Sequence, residues 1–264
     1  MTDKKKVLVT GVSGQIGTII RLRLGDRYAL SGIDLVGVDD VPCVVADLAD
    51  LAAIQPAFEN MDTVVHLGAD PNPRASWESI LKNNIVATRN VFEAARLAGV
   101  RRIIFASSNH AVGFYPLKQE PYKAVYDGRI GEVDWPIAPL TTDLLRPDSD
   151  YGVSKAFGEA LGSYFHDQFG ISVICLRIGW VMTPDDPSFS PAALSLWLSH
   201  RDVAQLIQKS VDASPSVGFT VVNGESANVL SIWDIESTRQ ILGYEPEDGA
   251  GDTWTTKPDS PSII

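Results

Sequence analysis

Tyr151-Gly-Val-Ser-Lys155 sets a phenol and an ammonium four residues apart, on one face of any helix that contains them. A tyrosine ordinarily titrates near ~10. A neighbouring ammonium favours the phenolate, so the spacing predicts a tyrosine lowered far enough to act as a base near neutral pH. Such pairs also arise by accident; the weight of this one comes from its place, on a helix that leads into a late apolar strand. Upstream, Phe105-Ala-Ser107-Ser108-Asn109-His110 closes another apolar strand. A hydroxyl there would hold a substrate oxygen beside the tyrosine. Ser108 is the expected group, with Ser107 as its competitor. Asn109 and His110 extend from the same strand end and could bind substrate hydroxyls, although His110 could equally be a satisfied structural histidine.

Removing a hydroxyl proton is half of an oxidation, and a second motif supplies the other half. A short apolar run ends in Thr10-Gly11-Val12-Ser13-Gly14-Gln15-Ile16-Gly17 and continues into a helical pattern. Gly11 permits a tight turn, Gly14 lets the backbone approach a pyrophosphate, and Gly17 lets the helix pack against the strand. Ser13, Gln15 and Ile16 complete the loop, whose N–H groups would receive the phosphates at a helix N-terminus. Asp34 ends the second strand. An acid there accepts hydrogen bonds from an adenosine ribose and repels a 2′-phosphate, so NAD is the expected cofactor. Asp47 and Leu48 follow the third strand and could flank the adenine; Asp47 could as well be the N-cap of the next helix. Leu67, Gly68 and Ala69 follow the fourth strand, where small residues would let the cofactor pass, and Ile178 closes the sixth. Asn84 is placed with the cofactor-binding residues; it could be a buried structural amide or could position a catalytic water. Pro71 and Trp180 complete the expected substrate side, and no metal site is expected.

The elements that must position these groups alternate regularly. Continuous apolar runs at 6–10, 28–34, 43–47, 63–68, 102–107 and 172–178 read as buried strands. Helical spacing separates them at 16–24, 48–58, 77–98 and 154–169, with Gly99 and Gly170 as C-terminal caps. That alternation predicts an α/β fold, a Rossmann-type doubly wound parallel sheet covered on both faces. Residues 1–176 would form the NAD-binding domain, including the Tyr/Lys helix. Residues 177–248 would form a small C-terminal substrate lobe, with contributions from 111–150, and 249–264 a loosely held tail. Two segments, 111–150 and 180–199, are rich in Pro and Asp and follow strand ends where ligands bind, so they are expected to be functional loops.

The net charge of −11 over 264 residues repels phosphate backbones and anionic membranes, which argues against nucleic acid and membrane surfaces as partners. No stretch reaches the ~18 apolar residues that span a bilayer. The opening MTDKKKVLVTGVSG lacks the apolar core of a signal peptide, so a cytoplasmic location is expected. Cys43 and Cys175 lie in separate apolar runs and are expected to be reduced core thiols.

Taken in order, TGVSGQIG, Asp34, HLGAD, ASSNH and YGVSK resemble the extended short-chain dehydrogenase/reductase superfamily over residues 6 to about 242. Within it, SSNHAVGFY, YGVSKAFGE, LRIG and WLSHRD are similar to uronate dehydrogenases. DPNPRASWESILKNN is similar to the haloarchaeal NAD-dependent glucose-6-phosphate dehydrogenases. The resemblance implies NAD-dependent oxidation of the C1 hydroxyl of a pyranose to a lactone. Ser108, Tyr151 and Lys155 would be the catalytic triad, with Asn109 and His110 at the sugar. It also implies a homo-oligomer, a dimer or higher, formed through the helices near 77–98 and 154–169. Two alternatives on the same scaffold are a nucleotide-sugar epimerase or dehydratase and a non-catalytic NAD sensor.

One departure bears on the sugar. Uronate dehydrogenases carry a carboxylate-binding arginine upstream of the W-x-S-H segment. Here Pro191 and Ala192 stand in that neighbourhood, and no arginine lies between Arg177 and Arg201. Neutral aldoses and sugar phosphates therefore stand beside uronic acids as expected substrates. A phosphate would need cations drawn from Arg74, Lys118, Lys123, Arg146 or Arg201.

Overall fold

The computed structural model describes residues 4–255. Seven parallel strands form one sheet in the order β3-β2-β1-β4-β5-β6-β7. These are β1 (Lys6–Thr10), β2 (Ala29–Asp34), β3 (Cys43–Val45), β4 (Thr63–His66), β5 (Arg102–Ser108), β6 (Ser172–Ile178) and β7 (Phe219–Gly224). The order reverses between β1 and β4, so their C-terminal ends open a crevice there, the place where doubly wound sheets bind ligands. β5 and β6 are buried along their whole length, because helices cover both faces.

On one face lie α1 (Gln15–Leu24) and α9 (His200–Asp212), which bury Ile19, Ile20, Val203, Leu206 and Ile207 against β1, β5 and β6. On the other lie α2 (Leu51–Ile54), α4 (Ala87–Leu97) and α7 (Asp150–Phe169), which bury Ile54, Val91, Phe92, Leu161 and Phe165. Ser149 caps α7 by accepting from Gly152 N, and Gly170 ends it at φ 70°. The helix thus begins before the apolar spacing that announces it at Ser154, and Tyr151 sits in its first turn.

A third apolar cluster joins Tyr122, Val125 and Leu140 to Trp197, Leu230, Ile232 and Trp233 above the sheet's C-terminal edge. It gathers the segment 111–150, which holds α5 (Phe114–Lys118) and α6 (Tyr122–Tyr126), with α8 (Pro191–Leu196); α10 (Glu236–Leu242) follows β7. α9 and β7 fall inside the span expected for the C-terminal lobe but lie in the sheet layers.

Several expectations need correction. β3 is three residues long, and the helix expected over 48–58 is α2 followed by a 3₁₀ turn at Gln55–Phe58. Asp50, not Asp47, caps it, accepting from Ala53 N. The long helix near 77–98 is α3 (Trp77–Ile80), a π-helical segment Leu81–Val86, and α4. Cys175 is a core thiol, but Cys43 is only half-buried on the short edge strand. The tail from 249 to 255 is held: Val229 N donates to Ala250 O, Ala250 N to Asn228 Oδ1, and Thr255 N to Ser188 O. The rest of the expected tail, 256–264, lies outside the described residues. No helix among the described residues is long and apolar enough to cross a membrane.

Candidate active site

A cleft of about 740 Å³ opens over the β1/β4 crevice and runs along the strand ends. Gly11, Ser13, Gly14, Gln15, Ile16 and Gly17 form its floor at β1. Asp34, Asp47 and Leu48 line one end, Leu67, Gly68, Ala69 and Pro71 the middle, and Ser108, Asn109, His110, Tyr151, Lys155, Ile178 and Trp180 the other end. Folding thus brings together all but one of the residues expected at the catalytic centre, the cofactor and the sugar.

The exception is Asn84. It is 2% exposed and does not line the cleft. Its Oδ1 accepts from Asp70 N (2.8 Å), and its Nδ2 donates to Asp70 O and Ser154 Oγ (3.1 Å each). All these partners are protein groups, so the expected cofactor contact is replaced by a brace between the loop after β4 and α7. Asn83, its neighbour in the π-helical segment, faces the cleft instead.

The floor has the shape of a dinucleotide cradle. Gly11 adopts φ 73°, and a Cβ there would lie 2.8 Å from Gly68 N. A Cβ on Gly17 would lie 2.5 Å from Gly11 O and Val12 O. Any side chain at either position would therefore close the crevice or push α1 off the sheet. α1 begins at Gly14 with no side-chain cap, so its first N–H groups are available to a phosphate. At the adenosine end, Asp34 accepts from Ser13 N (2.9 Å), Ser13 Oγ (2.8 Å) and Leu35 N (2.7 Å), which aims a fixed carboxylate into the cleft. Asp47 is held ionised, below its usual range, by Lys82 (2.7 Å) and Ala49 N (2.9 Å). These features fit NAD.

At the other end, Lys155 is buried and donates to Ala106 O (2.8 Å), with its Nζ 5.2 Å from the centre of the Tyr151 ring. Burial pushes its ammonium down to about 8. Burial likewise pushes the Tyr151 phenol up, to about 12. The Ser108 hydroxyl opposes the rise, and the charges of Asp148 and Asp70 add to it. The expected lowering of the tyrosine by the lysine is therefore reversed. Lys155 spends its hydrogen bond on a β5 carbonyl, and desolvation of the phenol dominates. Ser108 accepts from His110 N (3.2 Å) and donates to Asn109 Oδ1 (3.2 Å).

The two serines differ in their partners, through a residue that sequence reasoning missed. Ser107 Oγ donates to Glu159 Oε1 at 2.6 Å, so its proton is committed. Glu159 in turn takes a two-pronged bond from Arg177, both arms 2.9 Å, and Arg177 also donates to Leu144 O (2.9 Å). Asp148, also missed, stands 2.9 Å from His110 Nδ1. Glu159 lies one turn beyond Lys155 on α7, a position the helical spacing could have offered. Asp148 had no such signal.

None of the five cations considered for a phosphate lines the cleft. Lys123 pairs with Asp127, Arg201 with Glu247 and Asp248, and Arg146 lies over the Tyr115 ring. Arg74 and Lys118 are likewise outside it. Lys155 is the single lysine or arginine among the lining residues.

Residues 7–205 match the model of the NAD dependent epimerase/dehydratase family. The chain is similar to the NAD-dependent glucose-6-phosphate dehydrogenase of Haloferax volcanii, with 36% identity over 93% of this chain and 94% of that one. It is equally similar to the L-arabinose 1-dehydrogenase (NAD(P)(+)) of the same organism, with 36% identity over 93% of this chain and 97% of the other. Among solved structures, a uronate dehydrogenase mutant from Agrobacterium tumefaciens complexed with NAD superposes with a TM-score of 0.79. Its identity is 37%, over 93% of this chain and 86% of that one.

Proposed function

The chain belongs to the NAD dependent epimerase/dehydratase family, and we propose that it is an NAD-dependent dehydrogenase that oxidises the C1 hydroxyl of a neutral aldopyranose to its lactone. The observation that carries this reading is the convergence of Ser108, Tyr151 and Lys155 at one end of a glycine-floored cleft whose lining offers no arginine to an anionic sugar. NAD, when bound, supplies the hydride acceptor. Tyr151 takes the proton of the C1 hydroxyl, and Ser108 holds that oxygen while the carbinol becomes a carbonyl. Lys155, tethered to Ala106 O, keeps a positive charge beside the phenol and so stabilises the phenolate. Asn109 and His110 bind sugar hydroxyls, with Pro71 and Trp180 as apolar walls. Gly11, Ser13, Gly14, Gln15, Ile16 and Gly17 bind the cofactor phosphates. Asp34 takes the ribose, Asp47 and Leu48 lie at the adenine, and Leu67, Gly68, Ala69 and Ile178 lie along the cofactor.

A carboxylate or phosphate gains most from a bidentate arginine, and its burial without one is costly. An NADH-production screen of neutral aldoses, uronic acids and sugar phosphates tests the substrate. A neutral pentose or hexose is expected to give a kcat/KM at least tenfold above its uronate and phosphate counterparts. A uronate or phosphate in first place would overturn the choice. Asp34→Ala, which removes one charge-assisted partner, is expected to weaken NAD binding about tenfold or more and to narrow the preference over NADP, measured by fluorescence titration of both cofactors. Self-association through the outer faces of α3, the π-helical segment that follows it and α7, where Trp77, Leu81, Val153 and Tyr164 stay partly exposed, and a cytoplasmic location belong to the same reading.

A further inference from the structure

His110 enters the cleft with only one of its ring nitrogens spoken for. Nδ1 stands 2.9 Å from both carboxylate oxygens of Asp148. A carboxylate accepts hydrogen bonds and does not donate them, so Nδ1 carries the proton. Nε2 has no protein partner among the described residues, and the residue lines the cleft. The ring also packs edge-on against Tyr151, centres 5.3 Å apart.

The surroundings hold this pair tightly. The Asp148 side chain is 8% exposed against 24% for His110. Ser149 Oγ donates to Asp148 Oδ1 (2.8 Å), and Asp148 N donates to His110 O (3.3 Å). A Cβ on Gly113 would lie 1.8 Å from Asp148 Oδ2, so only glycine leaves room for the carboxylate. The segment 111–150 thus leaves β5, turns through α5 and α6, and comes back to place one acid against the histidine from which it departed.

We propose that Asp148 is a positioning and specificity residue: it holds His110 with the proton on Nδ1, so that Nε2 is a fixed acceptor for one hydroxyl of a neutral sugar. An acceptor atom backed by a carboxylate rewards a hydroxyl donor and repels a carboxylate or phosphate. The inference rests on the dehydrogenase reading above and extends it from the lack of an arginine in the lining to the presence of an acceptor. A site built to hydrogen-bond a hydroxyl discriminates strongly against the analogue lacking it, because the buried acceptor is then left unpaired.

The test uses the full chain. Nitrogen-15 NMR of labelled histidine, with His110→Gln to assign the signal, is expected to show Nδ1 protonated and Nε2 bare in the wild type, and a mixture of the two forms in Asp148→Ala. In Asp148→Ala, KM for the neutral aldose turned over fastest is expected to rise at least tenfold while kcat falls by less than threefold. Asp148→Asn, whose amide oxygen accepts from the same N–H, should recover most of that loss. Across the monodeoxy analogues of the same sugar, the wild type should reject one strongly, and that rejection should shrink at least tenfold in Asp148→Ala. A bare Nδ1 in the wild type, or an unchanged KM in Asp148→Ala, would overturn the proposal. Should Asp148→Ala fail to fold, the wild-type spectrum and Asp148→Asn still decide. Absence of turnover with every sugar would sink the dehydrogenase reading instead, and leave the NMR result to judge the dyad alone.

Discussion

Tyr151→Phe is expected to lower kcat by about 10³-fold or more, within or beyond the range of a single acid–base group, while the NAD dissociation constant stays within about twofold. The substitution removes one oxygen from a half-buried ring and leaves the glycine floor, Asp34 and the packing against His110 in place. It deletes the hydroxyl that this reading assigns to take the proton from the C1 hydroxyl. Stopped-assay NADH production and fluorescence titration separate the two effects. Turnover within tenfold of the wild type would remove Tyr151 from the mechanism. The pH profile adds a second reading. With the phenol pushed up to about 12 and the lysine ammonium down to about 8, the free enzyme at pH 7 holds a neutral phenol beside a charged lysine. Deprotonation of the base is favoured as pH rises, so kcat/KM should climb through the neutral range and bend as Lys155 loses its charge above about 8. In Tyr151→Phe, the residual rate should lose the climb.

Strand positions were legible because a parallel sheet covered on both faces demands continuous apolar runs, and VLVT, TVVH, RIIFAS and SVICLRI provide them. β7 was not, since FTVVNG is fully buried only in its second half, at the sheet's open edge. α5 and α6, five residues each, are too short to show a period. The π-helical slip at Leu81–Val86 changes which of Asn83 and Asn84 faces the cleft, and no side-chain pattern records a backbone shift of that kind. Motifs in which one backbone segment carries the chemistry, TGVSGQIG and YGVSK, were readable for the same reason that they are local. Pairings across the chain were hidden: Asp148 meets His110 from 38 residues away, and Arg177 meets Glu159 from 18. The sign of the Tyr151 shift was lost as well, because spacing reports a neighbour but not the desolvation that outweighs it.

The largest expected effect on stability comes from that second hidden pair. The side chains of Arg177 and Glu159 are 3% and 8% exposed, and the pair ties β6, α7, Ser107 on β5 and Leu144 in the loop segment into one knot. Arg177→Ala would leave a buried carboxylate with Ser107 as its one partner, and Leu144 O without a donor. Breaking a buried pair from one side costs about 3–5 kcal/mol, which for a chain of this size is a fall in Tm of roughly 6–20 °C. Thermal unfolding by circular dichroism measures it. The double variant Glu159→Leu/Arg177→Met removes both charges together and should recover at least half of the lost Tm, since apolar side chains of similar volume then fill the space. Ser107 would be released in that variant, and its hydroxyl would then compete with Ser108 for the substrate oxygen. Restored stability with a raised KM is therefore the expected combination. An Arg177→Ala protein that melts within 2 °C of the wild type would show that solvent or another cation reaches Glu159, and that the knot does not hold the catalytic helix to the sheet.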